Sequence, residues 1–227
     1  MRHSLSDLAR GCGAGLRALL ALTLLTGVLY PLAVTGIAQV FFPDRANGST
    51  VSADGREVGS ALIGQRYQLP DDPGDLDDPA AEPEPDPHWF QPRPADGLAT
   101  NSVNTQYDLL VSGATNLAAD SPDLTEAVAA ARAEVVAFNS VPGHPVDPAD
   151  VPADAVTSSG SGLDPHISPD YAALQVRRIA AQHDLPVERV ARLVEDQTEG
   201  RALGFLGEPR VNVLRLNVAL DELVADR

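Results

Sequence analysis

Ser161, Asp164 and His166 are the three residue types from which a hydrolase triad is built. They lie too close together in the sequence to converge freely, and no G-x-S-x-G strand-to-helix turn surrounds Ser161 to expose a nucleophile. We therefore expect a turn fixed by the neighbouring glycines and by Pro165, and a serine hydrolase is the least favoured interpretation.

The histidines show no metal-binding pattern, because no two of them have the i, i+4 spacing of a helical zinc site. A single cysteine, Cys12, excludes both an intrachain disulfide and a thiolate zinc cluster. Paired carboxylates such as Asp71-Asp72 and Asp77-Asp78 lie in a proline-rich stretch, which cannot hold a general acid in a fixed geometry. We expect these carboxylates to be solvated.

A serine- and glycine-rich segment, residues 157–169, leads directly into a predicted helix that is capped by Ser168 and Pro169. Its successive free amides could form an anion-binding nest at the helix start. The alternative is a tight loop whose serines and glycines satisfy turn geometry, and the adjacent Asp164 would repel a phosphate. The candidate binding residues are Ser158, Ser159, Gly160, Ser161 and Gly162.

The element that would place these residues relative to a membrane is an apolar run from Ala18 to Phe42, 25 residues without an acidic or basic side chain. A helix of this length spans roughly 37 Å, more than the ~30 Å hydrocarbon layer of a bilayer. A cleaved signal peptide is the alternative, but its apolar region is shorter and ends at small residues. The run ends instead in Val40, Phe41 and Phe42, so we expect an uncleaved transmembrane helix over 18–42.

Charge predicts the orientation of this helix. Residues 1–17 contain three arginines and one aspartate, whereas residues 43–227 contain 13 arginines and 31 acidic residues, a formal net charge of −18. Because positive flanks stay in the cytoplasm, we expect a cytoplasmic N-terminus and an extracytoplasmic domain over 43–227.

Small or helix-perturbing residues recur every four positions within the apolar run. This spacing stacks them along one helix face, where a neighbouring helix can approach closely. Chance is the alternative, since such residues are common in membrane helices. The candidate partner-packing residues are Thr23, Gly27, Pro31 and Thr35.

Residues 70–97 contain eight prolines and nine acidic residues, and this composition predicts an extended, mobile insertion outside the packed core. The sequence His88-Trp89-Phe90 would pin its end to the surface. Around the insertion we expect a hairpin at Asp54-Gly55, a short strand with a turn over 61–64 and an α+β domain.

The remaining elements follow from helix caps and periodicity. Helices are predicted after Ser121 and Ser168 and from Pro186 to before Gly200, and a short helix is predicted over 218–224. Strands are predicted over 203–206 and 211–216.

Composition excludes several functions. All 16 basic residues are arginines, so the chain has neither the P-loop lysine nor a Schiff-base lysine. The formal net charge of −16 argues against nucleic-acid binding.

Five segments together resemble the C subunit family (KdpC) of the Kdp potassium-transporting ATPase of bacteria. They are collinear and cover nearly the whole chain outside the insertion. The segment 112–117 departs from the family pattern, because Gly113-Ala114-Thr115-Asn116 stands in place of Gly-Gly-Ser-Asn. We therefore assign no binding to this segment. The matching segments are residues 27–43, 59–65, 112–117, 156–169 and 203–221.

The resemblance implies an accessory, non-catalytic subunit in the bacterial plasma membrane. It would assemble with a channel-like potassium-translocating A subunit and a P-type ATP-hydrolysing B subunit, with K⁺ as the transported ion. The family is described as a catalytic chaperone that raises the ATP affinity of the B subunit. Its Ser/Gly segment, here residues 158–162, has been likened to an ATP-binding-cassette signature.

The expected topology conflicts with direct nucleotide contact, because it places residues 158–162 outside the cell, where ATP is scarce. We therefore expect no tightly bound cofactor in this chain and an indirect effect on hydrolysis. The alternative function is a membrane-anchored extracytoplasmic binding or scaffold protein unrelated to transport.

Overall fold

The computed structural model describes residues 2–69, 84–94, 98–99, 109–110 and 112–226. The chain divides into two compact units, Met1–Thr50 and Val51–Arg227. Most of the predicted mobile insertion, residues 70–83 and 95–97, lies outside the described residues, and so do the paired carboxylates within it.

The first unit is helical. It consists of α1 (Arg2–Leu24), a π-helical turn (Leu25–Leu29), α2 (Tyr30–Phe41) and the short α3 (Pro43–Ala46). The segment Ser6–Phe41 is long and apolar enough to cross a membrane. The π turn lies where Pro31, which has no N–H, cannot donate to the Gly27 carbonyl. The backbone adapts one residue earlier, where the Tyr30 amide donates to the Leu25 carbonyl.

A hairpin of β1 (Thr50–Ala53) and β2 (Arg56–Ser60) follows, and all of it except Thr50 belongs to the second unit. The predicted turn at Asp54-Gly55 is confirmed: φ is 50° at Asp54 and 73° at Gly55, the left-handed conformation that two-residue hairpin loops require. The strand predicted over 61–64 is wrong, because a turn begins there immediately after β2. Two further short strands, β3 (Leu98–Ala99) and β4 (Leu109–Leu110), pair antiparallel.

Three predicted helices are confirmed as α4 (Pro122–Asn139), α5 (Pro169–Gln182) and α6 (Val187–Asp196). The Ser168 hydroxyl caps α5 by accepting from the Tyr171 amide at 3.1 Å. The Ser121 side chain makes no such bond, although the residue occupies the N-cap position of α4. Two 3₁₀ turns, Pro148–Asp150 and Ala153–Ala155, connect α4 to the residues before α5.

An antiparallel sheet in the order β5-β7-β6 completes the domain, formed by β5 (His166–Ile167), β6 (Thr198–Glu199) and β7 (Arg210–Asn212). The strand predicted over 203–206 is wrong, since these residues form a turn. The strand predicted over 211–216 ends at Asn212, because the Asn212 side chain accepts from the Arg215 amide and starts α7 (Val213–Ala225). The predicted C-terminal helix therefore exists but begins earlier.

The core lies between α5, α6, α7 and β7. Its fully buried apolar side chains include Ile179, Val190, Val211 and Leu216. Phe90, expected at the surface end of the insertion, is 0% exposed and belongs to this core. The prediction of an α+β domain that follows one long apolar helix is confirmed.

Candidate functional site

The Ser/Gly loop, residues 158–162, is held by its own hydroxyl groups. The Ser159 hydroxyl accepts from the Gly162 amide at 2.9 Å, and the Ser161 hydroxyl accepts from the Leu163 amide at 3.1 Å. The two hydroxyl oxygens are 3.2 Å apart. The Gly162 and Leu163 amides are thus bonded within the loop and are not directed at an anion, as in a tight turn.

Three distant segments donate backbone hydrogen bonds to this loop and its continuation. The Gly113 amide donates to the Ser161 carbonyl at 2.9 Å, and the Gly64 amide donates to the Leu163 carbonyl at 2.8 Å. The Val213 amide, at the start of α7, donates to the Pro165 carbonyl at 3.0 Å. Four of the five segments that carry the family resemblance therefore meet at one point, which we call the loop junction (residues 157–166 with Gly64, Gly113 and Val213).

Gly64 is required at the loop junction by close approach. A Cβ atom at this position would lie 2.9 Å from the Asp164 carbonyl oxygen, a separation that real Cβ atoms essentially never show. Next to it, the Asn212 side chain donates to the Ala61 carbonyl at 2.8 Å. The turn after β2 is thereby fixed against both the loop and β7.

Arg93 ties the last described part of the proline-rich stretch to the loop junction. Its Nε and Nη2 atoms donate to the Thr157 carbonyl at 3.3 and 3.2 Å, and Nη1 donates to the Asp164 carboxylate at 3.3 Å. The guanidinium group thus links this stretch to both Thr157 and Asp164.

Asp164 and His166 are brought together, but Ser161 does not join them as a nucleophile. One Asp164 carboxylate oxygen accepts from the His166 amide at 3.0 Å and lies 3.2 Å from Nδ1 of its ring. These bonds to His166, assisted by the charge of Arg93, hold the pKa of the Asp164 carboxyl below its usual 3.8, although burial opposes the shift. The Ser161 hydroxyl is bonded to Ser159 and Leu163, so the structure does not assemble a triad.

Sequence reasoning missed the residues that hold the segment 86–93, which we call the buried strap. The backbone of the strap is bonded mainly by side chains and not by a neighbouring strand. Asn217 accepts from the Phe90 amide at 2.9 Å and donates to its carbonyl at 3.0 Å. The Gln175 side chain likewise accepts from the Gln91 amide at 2.7 Å and donates to the Gln91 carbonyl at 3.1 Å. Each amide side chain therefore satisfies one backbone donor and one backbone acceptor, which are buried at Phe90 and partly buried at Gln91.

Arg178 is the third anchor of the buried strap and is only 1% exposed. Its guanidinium group donates to the Pro87 carbonyl, to the Trp89 carbonyl at 3.1 Å and to Asn139 and Gln175 at 3.0 and 2.7 Å. Burial lowers the pKa of Arg178 to about 10. No sequence signal marked Arg178 as buried, because two of the residues three and four positions away, Gln175 and Gln182, are polar and an arginine is ordinarily exposed.

Burial also raises the pKa of Tyr171 to about 12. Tyr171 lines a cavity of about 300 Å³ beside the strap, together with Arg66, Arg93, Glu134 and Phe138.

Within the described ranges, no cluster of three or more His, Cys, Asp or Glu residues could hold a metal ion.

The proposed partner-packing residues lie in three successive helical segments. Thr23 is in α1, Gly27 is in the π turn, and Pro31 and Thr35 are in α2. A Cβ atom at Gly27 would meet only the Thr23 methyl group, at 3.9 Å. The chain itself therefore does not require glycine at this position.

The loop between β6 and β7 exposes apolar side chains, whereas the loop junction bonds polar side chains internally. Its side chains Leu203, Phe205 and Leu206, which we call the apolar tip, are 83%, 71% and 51% exposed. No sequence pattern distinguished them from a buried strand.

Comparisons with known proteins agree with the resemblance carried by the motifs. The family described as "KdpC: K+-transporting ATPase, c chain" matches residues 12–222. A Streptomyces coelicolor protein named "Potassium-transporting ATPase KdpC subunit" is 63% identical over 99% of this chain and 98% of its own length. Proteins of the same name from Streptomyces avermitilis and Kineococcus radiotolerans are 62% and 46% identical, over 99% and 97% of this chain and 99% and 97% of their own lengths.

Proposed function

Since the chain belongs to the KdpC family of potassium-transporting ATPase subunits, we propose that it is an accessory, non-catalytic subunit of a high-affinity, ATP-driven potassium uptake complex. The observation that carries this proposal is the family match over residues 12–222, together with 63% identity to a relative of that name. The bonding of Ser161 away from His166 is compatible with a subunit that has no catalytic site of its own.

The partners we propose are a channel-like subunit that translocates K⁺ and a P-type subunit that hydrolyses ATP. Purification of the tagged chain in mild detergent tests this assignment. Both subunits should come with it, and potassium-stimulated ATPase activity should be lost when the chain is omitted. Recovery of the chain with an unrelated partner, or full activity without it, would overturn the proposal.

In the topology we propose, residues 1–17 are cytoplasmic, the helix crosses the bacterial plasma membrane, and the domain that follows is extracytoplasmic. The arginines at positions 2, 10 and 17 support this orientation, because basic residues that flank a membrane helix stay on its cytoplasmic side. A reporter that is active only in the cytoplasm, fused after Arg227, should be inactive. Activity of that fusion would show the opposite orientation.

For the effect on hydrolysis, we propose that the chain raises the ATP affinity of the hydrolysing subunit through contacts in and beside the membrane, with its outer domain bracing the potassium entrance. The internal bonding of residues 158–162 supports an indirect effect, because the Ser159 and Ser161 hydroxyls already accept local amides. In the intact complex, an azido-ATP probe should label the hydrolysing subunit and not this chain. Labelling within residues 158–162 would contradict the indirect mechanism.

The partner-helix face remains part of this proposal. Thr23, Gly27, Pro31 and Thr35 would let a neighbouring membrane helix approach closely. The Gly27→Leu substitution should reduce recovery of the partner subunits, because the chain itself leaves that position open. Gly36→Leu is the matched control, since a Cβ at Gly36 meets nothing within 4 Å and this residue lies outside the four-residue spacing. Equal recovery with both variants would exclude this face.

A further inference from the structure

A cleft between the β1–β2 hairpin, the buried strap and α7 is bordered by two aromatic side chains. We call it the aromatic cleft (Val58, Tyr67, Trp89, Leu214 and Asp221). The ring centroids of Tyr67 and Trp89 are 6.0 Å apart, and the ring planes are tilted by 36°. The cleft has a volume of about 170 Å³. Since a cavity of roughly 150 Å³ accommodates benzene, the aromatic cleft fits a molecule of that size.

The amide side chains that border the aromatic cleft are already bonded within the domain. Gln65 donates to the Val58 carbonyl at 2.9 Å, and Asn217 is bonded to both backbone groups of Phe90. The Asp221 carboxylate makes no hydrogen bond or ion pair with any residue that the structure describes. Asp221 is therefore the charged group that a ligand in the cleft would meet.

An acidic surface adjoins the aromatic cleft. A second depression shares Asp221 with it and adds three further carboxylates, from Asp54, Glu222 and Asp226, and we call these four residues the acidic lip. No arginine is among the described residues that line either depression. A cation is therefore attracted to this part of the domain, and an anion is repelled.

The walls of the cleft indicate which kind of cation fits. A bound metal ion exchanges water for several oxygen ligands, whereas most of the lining here is carbon. A methylated ammonium group instead packs its methyl groups against apolar walls and is attracted to the rings of Trp and Tyr. A phosphate next to that ammonium, as in a choline lipid, would be repelled by the acidic lip.

We infer that the aromatic cleft binds a small, free organic cation that carries a methylated ammonium group. Tyr67 and Trp89 contact the methyl groups, and Asp221 pairs with the charge. The inference does not depend on the proposed function, because the residues of the cleft all belong to the second compact unit of this chain and need no partner subunit.

Choline is the probe that tests this inference, and the fluorescence of Trp89, the single tryptophan, is the readout. Titration of the full chain in a non-ionic detergent, at constant ionic strength, should give a saturable change. The neutral alcohol in which carbon replaces the choline nitrogen has the same shape but no charge. It should bind about tenfold more weakly, because it makes neither a cation–π contact nor an ion pair. No saturable change with choline, or equal affinity for the alcohol, would overturn the inference.

Two further titrations distinguish a free organic cation from other sources of positive charge. Phosphocholine has the ammonium group and the phosphate of a lipid headgroup, so it should bind more weakly than choline. Potassium chloride should neither change the fluorescence saturably nor compete with choline at equal concentration. Tighter binding of phosphocholine, or competition by K⁺, would contradict a site for a free methylated ammonium ion.

The Asp221→Asn substitution tests the carboxylate. It should weaken choline binding about fivefold, near the upper end of what an exposed ion pair contributes, and leave the affinity for the neutral alcohol unchanged. Asp123→Asn is the matched control, because Asp123 is also exposed but lies on α4 and borders neither depression. Equal choline affinities of the two variants would show that Asp221 does not pair with the ligand. These titrations use the chain alone, so their outcome is independent of whether ATPase subunits are recovered with it.

Discussion

The loop junction and the apolar tip are both glycine-rich turns beside the same sheet, yet they use their side chains in opposite ways. At the junction, Ser159, Ser161 and Asp164 direct their oxygens inward, to amides of the same loop. At the tip, Leu203 and Phe205 direct apolar groups outward and are 83% and 71% exposed. Polar residues thus act as internal structure at one turn, while apolar residues form a surface at the other.

This difference shows that residue type alone is a poor guide to function in this chain. The Ser/Gly segment has the composition of a binding loop, but its bonds join segments that are far apart in sequence. The apolar tip has the composition of a buried strand, but it is exposed. The following predictions test this contrast, beginning with the largest effect.

The Arg178→Ala substitution should destabilise the fold most, because Arg178, like the side chains of the loop junction, bonds to backbone groups inside the domain. The substitution leaves the partly buried carbonyls of Pro87 and Trp89 without their donor, and we expect a loss of about 3 kcal/mol in the free energy of unfolding. The single tryptophan, Trp89, lies in the buried strap, so its fluorescence can follow urea unfolding of the full chain in detergent.

The neighbouring Arg177 provides the control, because it is on the same helix but exposed. Arg177→Ala should change the unfolding free energy by less than about 0.5 kcal/mol. Equal losses in the two variants would mean that the strap is not anchored as described.

The Gly64→Ala substitution should have the next largest effect, since its methyl group would be forced against the Asp164 carbonyl. We expect a loss of about 1–3 kcal/mol, measured by the same unfolding experiment. Gly160→Ala, within the Ser/Gly loop itself, should be tolerated because a Cβ there meets nothing within 4 Å. If Gly160→Ala lost more stability than Gly64→Ala, the close approach of Gly64 to Asp164 at the loop junction would be contradicted.

The Asp164→Asn substitution should alter the pH dependence of stability. The pKa of the Asp164 carboxyl is lowered in the folded chain, mainly by its bonds to His166, so its ionised form stabilises the fold above the unfolded pKa. That contribution is lost as the pH falls through the lowered pKa, in the range below about pH 4. The variant should therefore be less stable near pH 7 and lose less stability on acidification. If the unfolding free energies of the variant and the unmodified chain changed with pH in parallel, this role of Asp164 would be refuted.

The Phe205→Ser substitution should have the smallest effect on folding. Because Phe205 is 71% exposed, its loss should change the unfolding free energy by no more than about 0.5 kcal/mol. Unfolding followed through Trp89 measures this change. A large destabilisation would show that the tip serves the fold of this domain and is not an exposed surface.

The sequence predicted the helices well because their signals are local. Proline after a serine, followed by apolar residues three and four positions apart, located both α4 and α5. The start of α7 was missed because Val211 and Val213 alternate as in a strand, and the cap at Asn212 was not recognised. The turn at 203–206 was missed because apolar composition outweighed the nearby Gly204 and Gly207.

The buried polar anchors could not be predicted by the same reasoning. Gln175, Arg178 and Asn217 are polar, so composition alone assigns them to solvent. Their partners are backbone groups of the strap, 84, 89 and 127 residues away in the sequence. Only the fold brings these groups together. The membrane-helix face and the Ser/Gly binding residues stay predictions.

The two ends of the undescribed stretch 70–83 are joined by the backbone itself. The Leu69 amide donates to the Glu84 carbonyl at 2.8 Å, and the Asp86 amide donates to the Tyr67 carbonyl at 3.0 Å. The chain therefore leaves and returns at one place, and doubling the length between these points would cost only about 0.6 kcal/mol of closure entropy. Evolution can lengthen or shorten this stretch without rebuilding the domain, and a protein engineer can insert a label there.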